Sequence, residues 1–191
     1  AMHREFEDVM LEISEDAEIR AVVLTGAGRA FCAGGDLEDM KNPESRKGPR
    51  VMGSSRRLPY AMLEVKQPII CAANGHAVGI GATIALFCDI VIMVEGNASM
   101  YLGSPRMAEM VIGEVSTLEE MGGARMHCTV SGCGDLLATD DAEALDLARS
   151  YFTYLPSSWR EEPPGLSSLE RGLFGFPIPL DPVGSGRKPC L

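Results

Sequence analysis

No run of apolar residues in this chain of 191 residues is long enough to cross a bilayer, and no basic-then-apolar leader opens it. Neither membrane insertion nor secretion is therefore expected, and a cytoplasmic location is the default. Paired cysteines are lacking as well. Cys32, Cys71, Cys88, Cys128, Cys133 and Cys190 are scattered, mostly inside apolar runs, with no C-x-x-C spacing. That pattern argues for buried thiols in a reducing compartment rather than a disulfide framework. His127, Cys128 and Cys133 come nearest to a metal cluster. They lack a fourth ligand at suitable spacing, so no metal is expected. Basic charge is in the minority, 17 Lys and Arg against 27 Asp and Glu, for a net charge of −10, which disfavours nucleic acid as a partner. A phosphate loop is missing too, because Gly26-Ala27-Gly28 has neither the lysine nor the spacing.

What basic charge there is gathers in one stretch, at Lys41, Arg46, Lys47, Arg50, Arg56, Arg57 and Lys66. A local anion site and a solvated loop and helix face both fit it. The 46% of apolar residues suffice for one buried core.

Apolar residues at Phe6, Val9, Met10 and Ile13 predict an amphipathic helix over 2–15. A short strand over 21–25 follows and ends in a flexible turn through Ala33-Gly34-Gly35, with Asp36 placed to cap a short helix through Lys41 and a polar loop over 42–48. A second helix is expected between about Val51 and Val65, broken or restarted at Pro59. Ile69–Ala73 reads as a buried strand, Asn74–Gly79 as a turn, Ile80–Phe87 as a helix and Ile90–Val94 as a strand. Near-continuous apolar strands separated by helices suggest right-handed crossovers and a mostly parallel α/β sheet. Beyond Gly96, short helices are expected at Met107–Ile112 and at Thr117–Met121, the latter with Thr117 as N-cap. A short strand follows at Val130-Ser131-Gly132, then a helix from Asp140-Asp141 to Tyr154. Residues 165–191 are rich in Gly and Pro and read as a poorly ordered tail.

Two glycine-bracketed turns carry the chemistry. Phe31-Cys32-Ala33-Gly34-Gly35-Asp36 and Asn74-Gly75-His76-Ala77-Val78-Gly79-Ile80-Gly81 each follow an apolar strand. Small residues there let a carbonyl approach main chain, and two such turns can aim N–H groups at one oxygen, the geometry of an oxyanion hole. The helix starting near Ile80 adds unpaired N–H groups and a positive dipole end. The chain reads as an acyl-handling enzyme.

Those residues, from Arg20 through Asp36-Leu37 and from Asn74 through Cys88-Asp89-Ile90, resemble the enoyl-CoA hydratase/isomerase (crotonase) family over about residues 3–94. Residues 92–164 resemble the carboxyltransferase (β) subunit of biotin-dependent acyl-CoA carboxylases, through Met100-Tyr101-Leu102-Gly103-Ser104-Pro105, Gly113-Glu114, Leu118 to Ala124, Val130-Ser131-Gly132 and Trp159-Arg160-Glu161. The resemblance implies a crotonase/Clp-protease-like spiral of β-β-α units with a mostly parallel sheet. On this resemblance the N-terminal hairpin that the family places before the first helix is expected to be missing. It implies one domain over 1–164, with a hydratase-like half to residue 94 and a carboxyltransferase-like half over 95–164, usually assembled as a homo-oligomer (a trimer or dimer of trimers).

The resemblance also implies a coenzyme A thioester as substrate, its oxygen held by the backbone N–H groups of Ala33 and Ile80. Gly34, Asp36, Leu37, Gly79, Gly81 and Thr83 join these two in the substrate site. Of the hydratases' two glutamates, the first falls at Thr83 and the second near Pro105-Arg106, where no clear equivalent stands. The expected function is an acyl-CoA-binding enzyme that stabilises a thioester enolate. One alternative is a carboxyltransferase component, for which alone biotin is implied. Another is a catalytically weak acyl-CoA-binding or scaffold protein. Gly96-Asn97-Ala98-Ser99-Met100 is similar to the nucleophile segment of Clp-type serine proteases, with His127 downstream, but an ordinary surface serine is the expectation. His76 lies inside the second turn, and its backbone conformation or an ordinary hydrogen bond, rather than catalysis, is expected to account for it.

Overall fold

The computed structural model describes residues 2–35, 41, 54–157, 160 and 161. The predicted helix from Asp36 apart from Lys41, the polar loop over 42–48, three of the seven basic residues (Arg46, Lys47 and Arg50) and the tail over 165–191 lie outside the described residues. The chain divides into two compact units, Ala1–Phe152 and Thr153–Leu191. In the second, the Ser157 amide donates to Glu161 Oε2 at 3.2 Å.

The first unit is a succession of β-β-α repeats, each giving one strand to a large sheet and the next to a small one. Helix α1 (Met2–Glu15) leads to β1 (Val22–Thr25), β2 (Ala30–Cys32) and, past the undescribed stretch, α2 (Ser54–Glu64). The second repeat is β3 (Ile69–Ala73), β4 (His76–Val78) and α3 (Ile80–Leu86). The third is β5 (Ile90–Val94), β6 (Ser99–Tyr101) and α4 (Pro105–Ile112), followed by α5 (Leu118–Gly122) and α6 (Ala124–Met126). Strand β7 (Leu136–Ala138) and helix α7 (Asp141–Phe152) complete the unit. The large sheet runs β1-β3-β5-β7, the small one β2-β4-β6, and every pair in both is parallel. This is the expected α/β spiral of the crotonase fold.

Every residue of β3 is buried, as are four of the five in β5. That double-sided cover explains why both read as unbroken apolar runs. Helix α7 packs on β3, β5 and β7, and α1 packs on α2. Carboxylates fix the strand ends. Asp89 Oδ2 accepts from the Ile69 amide at 2.8 Å, and Asp135 Oδ2 from the Val91 amide at 2.7 Å.

Four expectations are corrected. Pro59 lies inside α2 without breaking it; it forgoes one intrahelical bond, and the neighbouring Leu58, Ala61 and Met62 are buried in the core and hold the helix. Asn74–Gly79 is not all turn, since His76–Val78 pairs as β4. Residues 30–32 are strand β2 rather than flexible turn. Val130-Ser131-Gly132 is no strand: His127–Ser131 forms a π-helical turn ended by Gly132 at φ 73°. The buried ring of His127 ties that turn to its surroundings, Nδ1 facing Ser131 Oγ at 2.8 Å and Nε2 facing the Met100 carbonyl at 2.6 Å. Thr117 caps α5 as expected, in a capping box with Glu120 that holds the Glu120 carboxyl below its usual range.

At the corner between the sheets, Asn74 bridges two repeats. Its Oδ1 accepts from the Gly26 amide at 3.0 Å, and its Nδ2 donates to the Gly28 carbonyl at 2.9 Å. Asn74→Ala is expected to cost about 1–3 kcal/mol in urea unfolding, because the Gly26 amide loses its acceptor. A smaller loss than that of an exposed Asn97→Ala control would contradict the bridge.

Cys71 and Cys88 are buried, while Cys32, Cys128 and Cys133 are half-buried. Burial, seconded by the charge of Asp135, pushes the Cys128 thiol from 9.0 up to about 11. A raised folded-state value means that its contribution to stability is complete below pH 9 and is lost as pH climbs toward 11, because the unfolded chain ionises first. Unfolding free energy should therefore fall over that window. Cys128→Ala should flatten the decline, and an unchanged slope would contradict this assignment.

Candidate functional site

The site grows from the pairing of β2 with β4. Cys32 stands beside Ala77 in a parallel pair, so the two strands leave the same edge of the small sheet together. From one exit come Ala33 and Gly34, from the other Gly79 and Ile80. Gly34 has φ 94°, and a side chain on it would come 2.8 Å from the Val78 carbonyl oxygen. One on Gly81 would drive into the Cys32 carbonyl. These two glycines thus let the exits close on each other, main chain against main chain. The Gly79 amide donates to the Tyr101 carbonyl at 3.0 Å, which ties the turn to β6.

Ile80 is the first residue of α3, and Gly79 before it, at φ 59°, supplies no side-chain cap. The Ile80 amide therefore has no acceptor within its own helix. Ala33 is exposed, and Ile80 and Thr83 are half-buried. The Thr83 hydroxyl is spent on the Gly79 carbonyl at 3.3 Å. The first turns of α3 and α4, which hold Thr83's helix and Pro105-Arg106, contain no acidic residue. The structure thus brings Ala33, Gly34, Gly79, Ile80, Gly81 and Thr83 to one sheet edge, while Asp36 and Leu37 lie outside the described residues.

A polar cleft of about 310 Å³ lies at the opposite ends of the same strands, lined by residues that include Arg29, Asn74, His76, Asn97 and Asp141. His76 Nδ1 faces Ser99 Oγ at 2.8 Å, the ordinary hydrogen bond expected of it. Ser99 itself is buried at 6% exposure, correcting the expectation of a surface serine. Its ring partner is His76 rather than His127, because Ser99 and His76 stand opposite in the β4–β6 register. Sequence reasoning missed Tyr101 as the acceptor that holds Gly79. A three-residue strand carries too little periodicity to reveal its neighbour.

Two family profiles match the chain, each over more than half of it. The enoyl-CoA hydratase/isomerase profile matches residues 1–115, and the carboxyl transferase domain profile matches residues 60–174. The chain belongs to the crotonase superfamily. The two matches overlap over 60–115, so the β3-β4-α3 repeat of this crotonase-like chain satisfies both families.

The chain is 62% identical over 97 residues to an uncharacterized carboxylase of Bacillus subtilis (strain 168), covering 51% of this chain and 19% of that protein. It is 41% identical over 95 residues to 1,2-epoxyphenylacetyl-CoA isomerase of Escherichia coli (strain K12), covering 48% of this chain and 36% of the isomerase. Among solved structures, transcarboxylase 12S with methylmalonyl-coenzyme A and methylmalonic acid bound superposes with a TM-score of 0.66 at 20% identity, covering 85% of this chain and 29% of that one; this likeness shows the fold. The crotonase-like chain spans well under half the length of these relatives. Among the described residues no helix is long and apolar enough to cross a membrane, and no cluster of three or more His, Cys, Asp or Glu could hold a metal.

Proposed function

We propose that this crotonase-like chain binds an acyl-CoA thioester and stabilises its enolate, the thioester oxygen resting between the amides of Ala33 and Ile80. Convergence of the two strand exits carries the reading. Loss of the α-proton moves negative charge onto the thioester oxygen, and two fixed N–H donors beside a helix N-terminus stabilise that charge more than they stabilise the neutral ester. Gly34, Gly79 and Gly81 keep the approach open, and Asp36 and Leu37 join the site by their place in the motif. Thr83 is not a general base at neutral pH, and neither adjoining helix start offers a carboxylate. Addition of water to an enoyl thioester therefore lacks an evident acid and base at these positions, roughly 10²- to 10⁴-fold in rate for each role.

That absence favours a second reading, in which the same enolate accepts a carboxyl group from carboxybiotin supplied as a substrate by a partner protein. The carboxyl transferase match over residues 60–174 supports it. A weak acyl-CoA-binding protein is the remaining alternative. The proposal places the chain in a homo-oligomer of trimeric type in the cytoplasm, with the domain limit at residue 164 and a tail beyond.

Exchange of the α-protons of butyryl-CoA in D2O tests the enolate directly, whichever product follows. Exchange above buffer is expected. Binding measured by calorimetry without exchange would leave the weak-binder alternative, and neither binding nor exchange would refute the reading. Carboxylation of acetyl- or propionyl-CoA with carboxybiotin, set against hydration of crotonyl-CoA, separates the first two readings.

A further inference from the structure

Strand β6 is an edge of the small sheet and is only three residues long. Its outer side is held by the chain that leaves α5. Gly123 bridges Ser99 in the antiparallel sense, and the Ala124 amide donates to the Ala98 carbonyl at 3.2 Å. One residue earlier the approach is closer still. A side chain on Gly122 would stand 2.7 Å from the Met100 carbonyl oxygen and 2.8 Å from Tyr101 Cδ1. Only glycine lets the buried end of α5 seat against the end of β6.

That seat holds one peptide of the candidate site. Tyr101, the last residue of β6, pairs with Val78, and its carbonyl accepts from the Gly79 amide at 3.0 Å. The carbonyl of Gly79 in turn accepts from the Thr83 amide at 3.1 Å. This carbonyl and the Ile80 N–H belong to the same planar trans peptide, so fixing the one aims the other. Gly79 stands at φ 59° and ψ −114°, a conformation glycine visits among many. The two bonds, rather than local preference, select it.

We infer that Tyr101, seated by Gly122, is a positioning residue for the Ile80 amide. The inference rests on the enolate reading proposed above. The Thr83 bond lies within α3 and travels with it, whereas the Tyr101 bond ties the peptide to the small sheet, which also carries Ala33 at the exit of β2. Tyr101 therefore sets where the Ile80 amide stands relative to that of Ala33, and both must meet one oxygen. A misplacement of about 1 Å costs such a site about 10²-fold. The carboxyltransferase-like segment over 118–124 thus sets the aim of a hole built from the hydratase-like half.

Kinetics and amide exchange together test this. Gly122→Ala should lower kcat for α-proton exchange of butyryl-CoA by about 10- to 100-fold with KM little changed, because a misaimed donor is missed chiefly in the transition state. In the chain without ligand, it should speed hydrogen exchange of the Gly79 amide about tenfold by loosening its bond to Tyr101. Gly123→Ala is the control. The nearest atoms to its Cβ belong to the carboxylate of exposed Glu119, which can swing away, so neither quantity should move. Tyr101→Ala withdraws the ring without adding a clash and should move both quantities in the same direction, which keeps the test open should Gly122→Ala fail to fold. A parent chain without α-proton exchange would refute the enolate reading and this role with it. An active parent whose Gly122→Ala and Tyr101→Ala variants keep kcat would overturn the inference alone. So would a loss confined to KM, or a loss of kcat with the Gly79 amide as protected as in the parent.

Discussion

Replacing Ile80 with proline is expected to slow α-proton exchange of butyryl-CoA by about 10²- to 10³-fold, the loss typical of removing one oxyanion donor, while the protein stays folded. Proline is suited to the site because Ile80 opens α3, where the N–H has no intrahelical acceptor and a φ near −65° is already required. The restriction that proline imposes on its predecessor falls on Gly79, a residue without Cβ. The substitution thus removes the amide hydrogen from the site, together with part of a half-buried side chain that packs against the core. Thr83→Val is the matched control: among the described residues its hydroxyl bonds only the Gly79 carbonyl, so exchange should change by less than about threefold. Equal losses in the two variants would show that packing around α3, not the amide, matters. An Ile80→Pro protein as active as its parent would remove the amide from the mechanism.

The largest loss of stability is expected from Gly81→Val. A Cβ at residue 81 meets the Cys32 carbonyl and lies 2.8 Å from Cys32 Cβ. Helix α3 has to retreat from β2, and the β2–β4 pairing has to open. Overpacking of this kind costs about 1–3 kcal/mol for small insertions; three heavy atoms against backbone should reach or exceed the upper figure. Gly28→Ala provides the contrast. Gly28 faces open space at φ 78°, so only the left-handed conformation is penalised, at about 1–2 kcal/mol. Urea denaturation should rank the two in that order. The reverse order would mean that the two strand exits do not touch. A folded but weakened Gly81→Ala protein should also lose acyl-CoA affinity, since the exits that aim the amides are the parts displaced.

The large sheet was legible because its central strands are buried on both faces, so that Ile69–Ala73 and Ile90–Val94 announce themselves by composition alone. The small sheet was not. Its strands are three residues long, shorter than the period-2 signal needs, and are held by parallel neighbours distant in sequence. The turn at residues 127–132 misled for a related reason. Thr129 and Val130 favour extended chain locally, yet the ring of His127 and the left-handed Gly132 fix a helical turn. At the site, Gly34, Gly79 and Gly81 could be picked out because glycine beside a strand signals close approach. Their mutual packing could not, since it depends on the β2–β4 register. The exposed face of α4 carried a helical pattern in sequence, but only the structure shows that this apolar stripe points away from the core.

The central claim is that the amides of Ala33 and Ile80 hold a thioester oxygen. Difference infrared spectroscopy of butyryl-CoA carrying a 13C-labelled carbonyl, bound at saturation, reads that contact in the stretching frequency. The account predicts a shift to lower frequency on binding, reduced by Ile80→Pro and retained by Thr83→Val. A bound ester whose carbonyl absorbs where the free ester does, or whose shift survives Ile80→Pro unchanged, would contradict it.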